Sequence, residues 1–208
     1  MIIHDCKQYS EEWWTLRRGV PTASNANKIL TPTGKVSAQA EGLLNVLVTE
    51  ALGCPDDPQE PTEWMLRGTE LEPEARAMFE LEQGLDVTEV GFITNDSGTS
   101  GCSPDGLVEP FTNRGGQPTA RAGFEVKCPK ASTHIGYLRD GGLPAYYKPQ
   151  INWSMAVTGI RRWWFVSYFP ELEPLIIQVE WSEYTDAVAK AMTDFSVKRR
   201  EAFARFGL

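Results

Sequence analysis

Gly123-Phe124-Glu125-Val126-Lys127-Cys128-Pro129 is the stretch on which the reading of the chain turns. Gly123 to Lys127 has the composition of a short strand, closed by Pro129. Side chains two apart on a strand face the same side, so Glu125 and Lys127 point together and Val126 turns into the core. The Val126 carbonyl stays available as a metal ligand if the strand end is open. Upstream stands Ser103-Pro104-Asp105-Gly106-Leu107, in a segment, Cys102 to Glu109, that also reads as a strand. A hairpin between the two returns Asp105 beside Glu125. Two carboxylates and an ammonium then meet at one point.

That trio suits phosphodiester hydrolysis. Hard oxygen ligands select Mg²⁺, with Mn²⁺ as a substitute. Such a metal lowers the pKa of a bound water and neutralises charge on the phosphate oxygens. Lys127 is placed to orient or deprotonate the attacking water, or to stabilise the crowded phosphorus. A Glu-x-Lys on a strand also arises by chance, and a solvated Glu–Lys pair contributes little. Here the glutamate lies between Phe124 and Val126, in a strand that reads as buried, with Pro104-Asp105-Gly106 and Glu72 upstream.

Working outward, Ser10 caps a helix that stops at Gly19, and Thr22-Ala23-Ser24 offers a second cap. Ser37 to Leu52 reads as a longer helix. Cys54 to Pro58 reads as a loop, Thr62 to Leu66 as a short helix and Pro73 to Gln83 as a clearer one. Proline suits a first helical turn, which puts Glu72 at or near a helix N-terminus. Asp86 to Thr94 alternates like a strand, and Pro110 to Ala120 reads as a polar loop between the two motif strands. Ser132 to Arg139 and Ala145 to Thr158 read as helices, Arg162 to Phe169 and Leu175 to Trp181 as strands, and Ser182 to Phe206 as a long helix. This order predicts an α/β fold with a mixed central sheet flanked by helices.

The chain has 208 residues, a formal charge of −8 and 41% apolar residues, as expected of one globular domain spanning 1–208. No apolar run is long enough to cross a bilayer. The first residues show no basic segment leading into an apolar run, so no signal peptide is expected and the cytoplasm is the expected location. With two histidines and four scattered cysteines, a His-rich metal site or a zinc ribbon has no support. The acidic balance argues against a nucleic-acid coat protein, but clustered carboxylates for Mg²⁺ are themselves acidic.

The Ser-Pro-Asp-Gly and Glu-Val-Lys-Cys-Pro pair resembles the signature of the PD-(D/E)xK nucleases. More narrowly it resembles the phage lambda exonuclease family, the YqaJ-type viral recombinases. Trp13 to Ser24 is similar to that family's Trp, Leu-Arg, Gly and Thr-Ala-Ser block. Arg67 to Arg76 is similar to its Gly-x-x-x-Glu-x-x-Ala helix, and Tyr147 to Met155 to its Tyr-x-x-Gln-x-x-x-x-Met helix. The resemblance implies a restriction-endonuclease-like core. It implies Asp105 and Glu125 as metal ligands with the Val126 carbonyl, Lys127 as the catalytic lysine, Glu72 near the metals and Gln150 behind the catalytic strand. Arg17, Ser24 and Ser103 match positions around the 5′-phosphate of a DNA end. The implied activity is that of an alkaline exonuclease: Mg²⁺-dependent, processive 5′→3′ degradation of one strand of duplex DNA, releasing 5′-mononucleotides and leaving a 3′ single strand. The implied partners are double-stranded DNA ends, two further copies in a ring-shaped homotrimer and a single-strand annealing protein, in the cytoplasm of a bacterial host carrying the phage or prophage. Pro149, just before Gln150, fits either a first helical turn or a kink.

Several further readings accompany these. Trp13, Trp14, Trp153, Trp163 and Trp164 suit core or subunit packing more than base stacking. Lys127, Lys130, Lys148, Arg161 and Arg162 fall near the site as a positive channel. Lys198, Arg199, Arg200 and Arg205 form a solvated helix face. Cys128 is a small buried residue and His134 a structural one. Competing functions are an endonuclease on the same core, a DNA-end-binding scaffold with a dead site, and a structural phage protein with a fortuitous match. The intact Asp105, Glu125 and Lys127 count against the scaffold.

Overall fold

In the computed structural model, residues 1–54, 62–110 and 120–208 are described. Most of the loop expected over 54–58 and most of the one expected over 110–120 lie outside them. A five-stranded mixed sheet has the order β2-β5-β6-β7-β8: Val87–Thr88, Gly106–Val108, Ala122–Lys127, Arg162–Ser167 and Leu175–Glu180. β6 is antiparallel to β5 and parallel to β7; the other pairs are antiparallel. Between β6 and β7 run α4 (Ala131–Asp140) and α5 (Lys148–Thr158), the crossover that a parallel pair needs. A second sheet joins β1 (Ile2–His4), β3 (Phe92–Thr94) and β4 (Gly101–Cys102). The sequence reading has no counterpart to this sheet.

Both faces of the five-stranded sheet are covered. Phe124, Val126, Val108 and Val166 pack with Ala75 and Phe79 of α3 (Glu63–Gln83). Leu107, Trp163 and Phe165, turned to the other face, pack with Ile151 and Met155 of α5, Leu43, Leu44 and Leu47 of α2 (Ala40–Ala51), and Val188, Met192 and Phe195 of α6 (Glu183–Ala204). Each large side chain so buried contributes about 1.5–3 kcal/mol. Gly123 is required in β6 because a Cβ there would stand 2.2 Å from the buried Trp163 ring.

Four expectations need correction. The two helices expected over Thr62–Leu66 and Pro73–Gln83 are one helix, α3, which runs through Pro73. Proline supplies no amide hydrogen to the helix, but tertiary packing offsets this: Phe79 lies 4.8 Å from Phe124 and 5.5 Å from Trp164, ring centre to ring centre. Glu72 therefore sits mid-helix, not at an N-terminus. The strand expected over Asp86–Thr94 is two, β2 and β3, in different sheets. They part beside Gly91, where a Cβ would collide with the Cys6 carbonyl. Cys102 to Glu109 likewise divides into β4 and β5, with Ser103, Pro104 and Asp105 between. In the Thr22-Ala23-Ser24 stretch it is Thr22 that holds the cap position, before the short 3₁₀ helix Ala23–Lys28.

Candidate active site

β6 is the central strand, and its alternation delivers two faces. Phe124 and Val126 enter the core beneath α3, while Glu125 and Lys127 share the opposite face. Lys127 Nζ donates to Glu125 Oε1 at 2.5 Å, and Gln150 Nε2 donates to the same oxygen at 2.5 Å. Gln150 reaches it because Pro149 falls in the first turn of α5, where its missing N–H is harmless. Among the described residues, Glu125 Oε2 carries no hydrogen bond.

Asp105 arrives from the break between β4 and β5. Its amide donates to the Phe124 carbonyl at 3.1 Å, and its Oδ2 accepts from the Val126 amide at 2.7 Å. Peptide groups two apart on a strand address the same neighbour. The Val126 carbonyl therefore points past the start of β5, towards the space beside Asp105. Glu72 enters from α3. It shares a helix face with Ala75, Arg76 and Phe79, at i+3, i+4 and i+7. Burying Ala75 and Phe79 against β6 thus turns Glu72 towards the same space. Glu72, Arg76, Asp105, Phe124 and Val126 line one cleft of about 590 Å³.

The electrostatics describe a site short of positive charge. Burial, then repulsion by Asp105, pushes the Glu72 carboxyl up to about 7. Burial raises Asp105 and Glu125 as well, against the pull of Lys127. For Lys127, burial favours the neutral amine, but Glu125 and Asp105 outweigh it and hold the ammonium above the ordinary lysine range. Lys127 also lies 5.9 Å from the centre of the Tyr147 ring. The adjacent Cys128 thiol is pushed up to about 12 by burial and by Glu72 and Asp105, so it is not a nucleophile.

Among the described residues no three His, Cys, Asp or Glu side chains form a complete metal cluster. That donor set still fits Mg²⁺, which keeps several waters and needs only one or two protein carboxylates. Among the described residues Asp105 and Glu125 each retain an oxygen free of protein hydrogen bonds, the Val126 carbonyl faces the same space, and Glu72 stands across it.

A second cluster forms beside the first. Arg17, the last residue of α1 (Glu11–Arg17), donates through Nη1 to Ser103 Oγ at 3.0 Å. Its Nη2 reaches Thr22 Oγ1 at 3.4 Å and Ser24 Oγ at 3.5 Å. Two contacts hold these parts together. The Gly101 amide donates to the Pro21 carbonyl, fixing Thr22 beside β4. The Trp13 indole N–H donates to Ser103 Oγ at 2.9 Å, while its ring lies 4.1 Å under the Arg17 guanidinium. The hydrogen-bond partners of Arg17 are hydroxyls, not carboxylates, and burial lowers its pKa to about 10. All eight expected side chains thus fall in two adjacent clusters: Glu72, Asp105, Glu125, Lys127 and Gln150 in one, Arg17, Ser24 and Ser103 in the other.

Other expectations divide. Trp13, Trp153 and Trp163 are core residues, Trp164 is partly buried against Phe79, and Trp14 is exposed. His134 is buried between Ser167 and the Glu173 carbonyl, a structural role. Arg161 and Arg162 do not join a channel at the site. β7 runs parallel to β6 with Trp163 opposite Gly123, so both lie by the far end of β6, about 16 Å of strand from Lys127. There Arg161 stacks on Trp181 and Arg162 pairs with Glu180. Lys148 is drawn over the Tyr184 ring. Arg199 is not on a solvated face, because its Nε donates to the Gly19 carbonyl at 2.6 Å. The sequence reading missed Tyr9 and Arg76 in the cleft wall. Arg76 had a usable signal in its helical spacing from Glu72; Tyr9 had none.

The model of the YqaJ-like viral recombinase domain matches residues 12–161. Among solved structures, the chain is similar to an alkaline exonuclease, LHK-Exo, from Laribacter hongkongensis. The two are 30% identical over 95% of this chain and 96% of that one, with a TM-score of 0.79. The complex of LHK-Exo with dAMP matches at 29% identity, over 95% and 98%, with a TM-score of 0.73. A phage-related exonuclease from Haemophilus somnus 129PT shares the fold at 13% identity, over 93% and 99%, with a TM-score of 0.66. No curated protein sequence matches the chain. With the fold, the paired clusters and the matched span in agreement, the chain belongs to the YqaJ-like viral recombinase family and has its restriction-endonuclease-like fold.

Proposed function

We propose that this protein is a Mg²⁺-dependent 5′→3′ exonuclease on double-stranded DNA ends, releasing 5′-mononucleotides and leaving a 3′ single strand. One observation carries the reading. Ser103 belongs to the guanidinium–hydroxyl cluster and Asp105 to the carboxylate–lysine cluster, so the two anchor residues are at most about 7 Å apart along the chain. That lies within the reach of one nucleotide. A terminal 5′-phosphate held by Arg17, Ser24 and Ser103 brings the next phosphate to Glu125 and Lys127.

The contacts support a set of roles. Asp105, Glu125 and the Val126 carbonyl would hold the cation, with Glu72 beside it. Bound there, Mg²⁺ supplies Lewis-acid polarisation of the phosphate and a nucleophilic water at neutral pH. Lys127, kept protonated by its neighbours, orients that water or stabilises charge building on the phosphate. Gln150 fixes the Glu125 carboxylate through one oxygen and leaves the other free. Arg17 neutralises the terminal phosphate, and its bond to Ser103 holds the guanidinium in place. The neighbouring LHK-Exo, an alkaline exonuclease solved with a deoxynucleoside monophosphate, supports this product class.

The proposal extends, from the family resemblance, to processive action by a ring-shaped homotrimer, to a single-strand annealing partner in recombination, and to the cytoplasm of a phage- or prophage-carrying bacterium. It also treats residues 1–208 as a single nuclease domain. Among the described residues no helix is long and apolar enough to cross a membrane. Sedimentation of the purified protein checks the trimer.

The test is incubation with Mg²⁺ and two substrates, a linear duplex bearing 5′-phosphates and a closed circular duplex. Mononucleotides from the linear DNA, an untouched circle and arrest by EDTA are expected. Cutting of the circle overturns the exonuclease reading in favour of an endonuclease. Binding of DNA ends with no hydrolysis of either substrate restores the scaffold.

A further inference from the structure

Tyr9 has a φ of 66°, one of only two non-glycine residues with a positive φ among the described residues. Side chains rarely adopt this region, and glycine enters it without strain. The turn between β1 and α1 would therefore form more easily with glycine. Folding also makes poor use of the ring, which is 60% exposed. A strained backbone that carries an exposed aromatic side chain points to a role outside folding.

Its contacts say where that role lies. The ring sits 5.2 Å from the Trp13 ring, which in turn lies beneath Arg17. The hydroxyl stands beside the Thr69 side chain. Thr69 stands on α3 one turn before Glu72 and lines the same cleft as Tyr9, Glu72 and Asp105. Tyr9 is thus braced at one edge by the phosphate-binding helix and at the other by the carboxylate-bearing helix. Its position spans the interval between the two clusters.

We infer that the exposed face of Tyr9 stacks on the nucleobase of the 5′-terminal nucleotide, holding it while its 3′ phosphodiester lies at Glu125 and Lys127. This rests on the exonuclease reading. The ligand class is any unpaired nucleobase, because every base offers a π-face and stacking is tolerant of sequence. Tyr9 is a positioning residue: it touches the base and not the reacting phosphate. Stacking on Tyr9 also favours a terminal base that has left its pair, which suits an enzyme that removes one strand of a duplex.

The test is a cycle of two enzymes and two substrates. Wild type and Tyr9→Gly are each given linear duplex with an ordinary 5′-phosphorylated end, or with an end whose terminal nucleotide lacks its base. Tyr9→Gly should raise KM about tenfold on the ordinary end, the loss of one stacking contact, with kcat falling less. On the abasic end wild type and variant should converge. Tyr9→Phe should restore most of the lost KM, and thermal melting checks that Tyr9→Gly remains folded at the assay temperature. Equal KM for wild type and Tyr9→Gly on the ordinary end overturns the inference. So does a tenfold gap that persists on the abasic end. If wild type hydrolyses neither substrate, the exonuclease reading itself fails, and this inference with it.

Discussion

The two clusters of the cleft are opposites in charge and alike in being incomplete. In the first, Glu72, Asp105 and Glu125 face one ammonium, and burial raises all three carboxyls. In the second, Arg17 is half-buried among hydroxyls that cannot neutralise it, and its pKa falls. Neither arrangement stabilises the chain by itself, since an ionised group taken from water needs an opposite charge. Each leaves room for a partner from outside, a cation in the first case and an anion in the second. On the proposed function a phosphorylated DNA end with its Mg²⁺ would supply both at once. The lesson is that unsatisfied charges of opposite sign in adjacent clusters say more about a substrate together than either cluster does alone.

Substitutions break that contrast in graded steps. Lys127→Ala should lower kcat by at least about a thousandfold while DNA-end binding persists, seen as retained gel shift without mononucleotide release. Wild-type turnover by this variant would displace the carboxylate–lysine cluster from the chemistry. Arg17→Ala should raise KM for 5′-phosphorylated ends about tenfold to a hundredfold, the loss of a charged hydrogen bond. It should leave ends with a 5′-hydroxyl much less affected. An equal penalty on both ends would remove the phosphate from the argument.

Smaller steps sharpen the comparison inside each cluster. Ser103→Ala removes the acceptor shared by the Arg17 guanidinium and the Trp13 indole, and should cost about fivefold in kcat/KM. Ser24→Ala, at an exposed hydroxyl 3.5 Å from Arg17, should cost about twofold. The reverse ranking would shift the phosphate site towards the 3₁₀ helix. Glu72→Gln should lower activity yet raise the Tm of the protein in EDTA at pH 8. The Glu72 carboxyl, at about 7 in the folded protein against an ordinary 4.5, binds its proton more tightly when folded. Its cost to stability therefore grows as pH rises between those values and is full above them. The Tm advantage of Glu72→Gln should shrink as pH falls through the window and vanish near pH 4; an advantage unchanged at pH 4 would assign it to packing.

The catalytic strand was readable in the sequence because period-two alternation acts locally. Phe124 and Val126 go one way, Glu125 and Lys127 the other, and no distant contact is needed to say so. Asp105 was readable through the hairpin that returns the chain beside β6, although it stands in the break before β5 and not in a strand. Glu72 was found by its motif but placed wrongly on its helix. Local rules end a helix at Pro73, and only the burial of Phe79 against Phe124 and Trp164 carries α3 through. Pro149 posed the same ambiguity and resolved the other way, in a first turn. The second sheet escaped because β1, β3 and β4 have only two or three residues each, too few to show a period. Arg161 and Arg162 were misassigned because the direction of β7 is a tertiary fact: a parallel partner sends its first residues to the far end. Tyr9 was invisible, since nothing in a sequence announces a left-handed tyrosine.

The place of β6 in the sheet has a consequence for how the enzyme fails. The strand is paired on both sides and covered on both faces, so its amides should be among the last to exchange with deuterium. Fraying of the small sheet or of the C-terminal turn leaves Glu125 and Lys127 in register. The catalytic pair separates only when the cooperative core unit opens. Loss of the Glu125–Lys127 geometry should then follow the global melting curve.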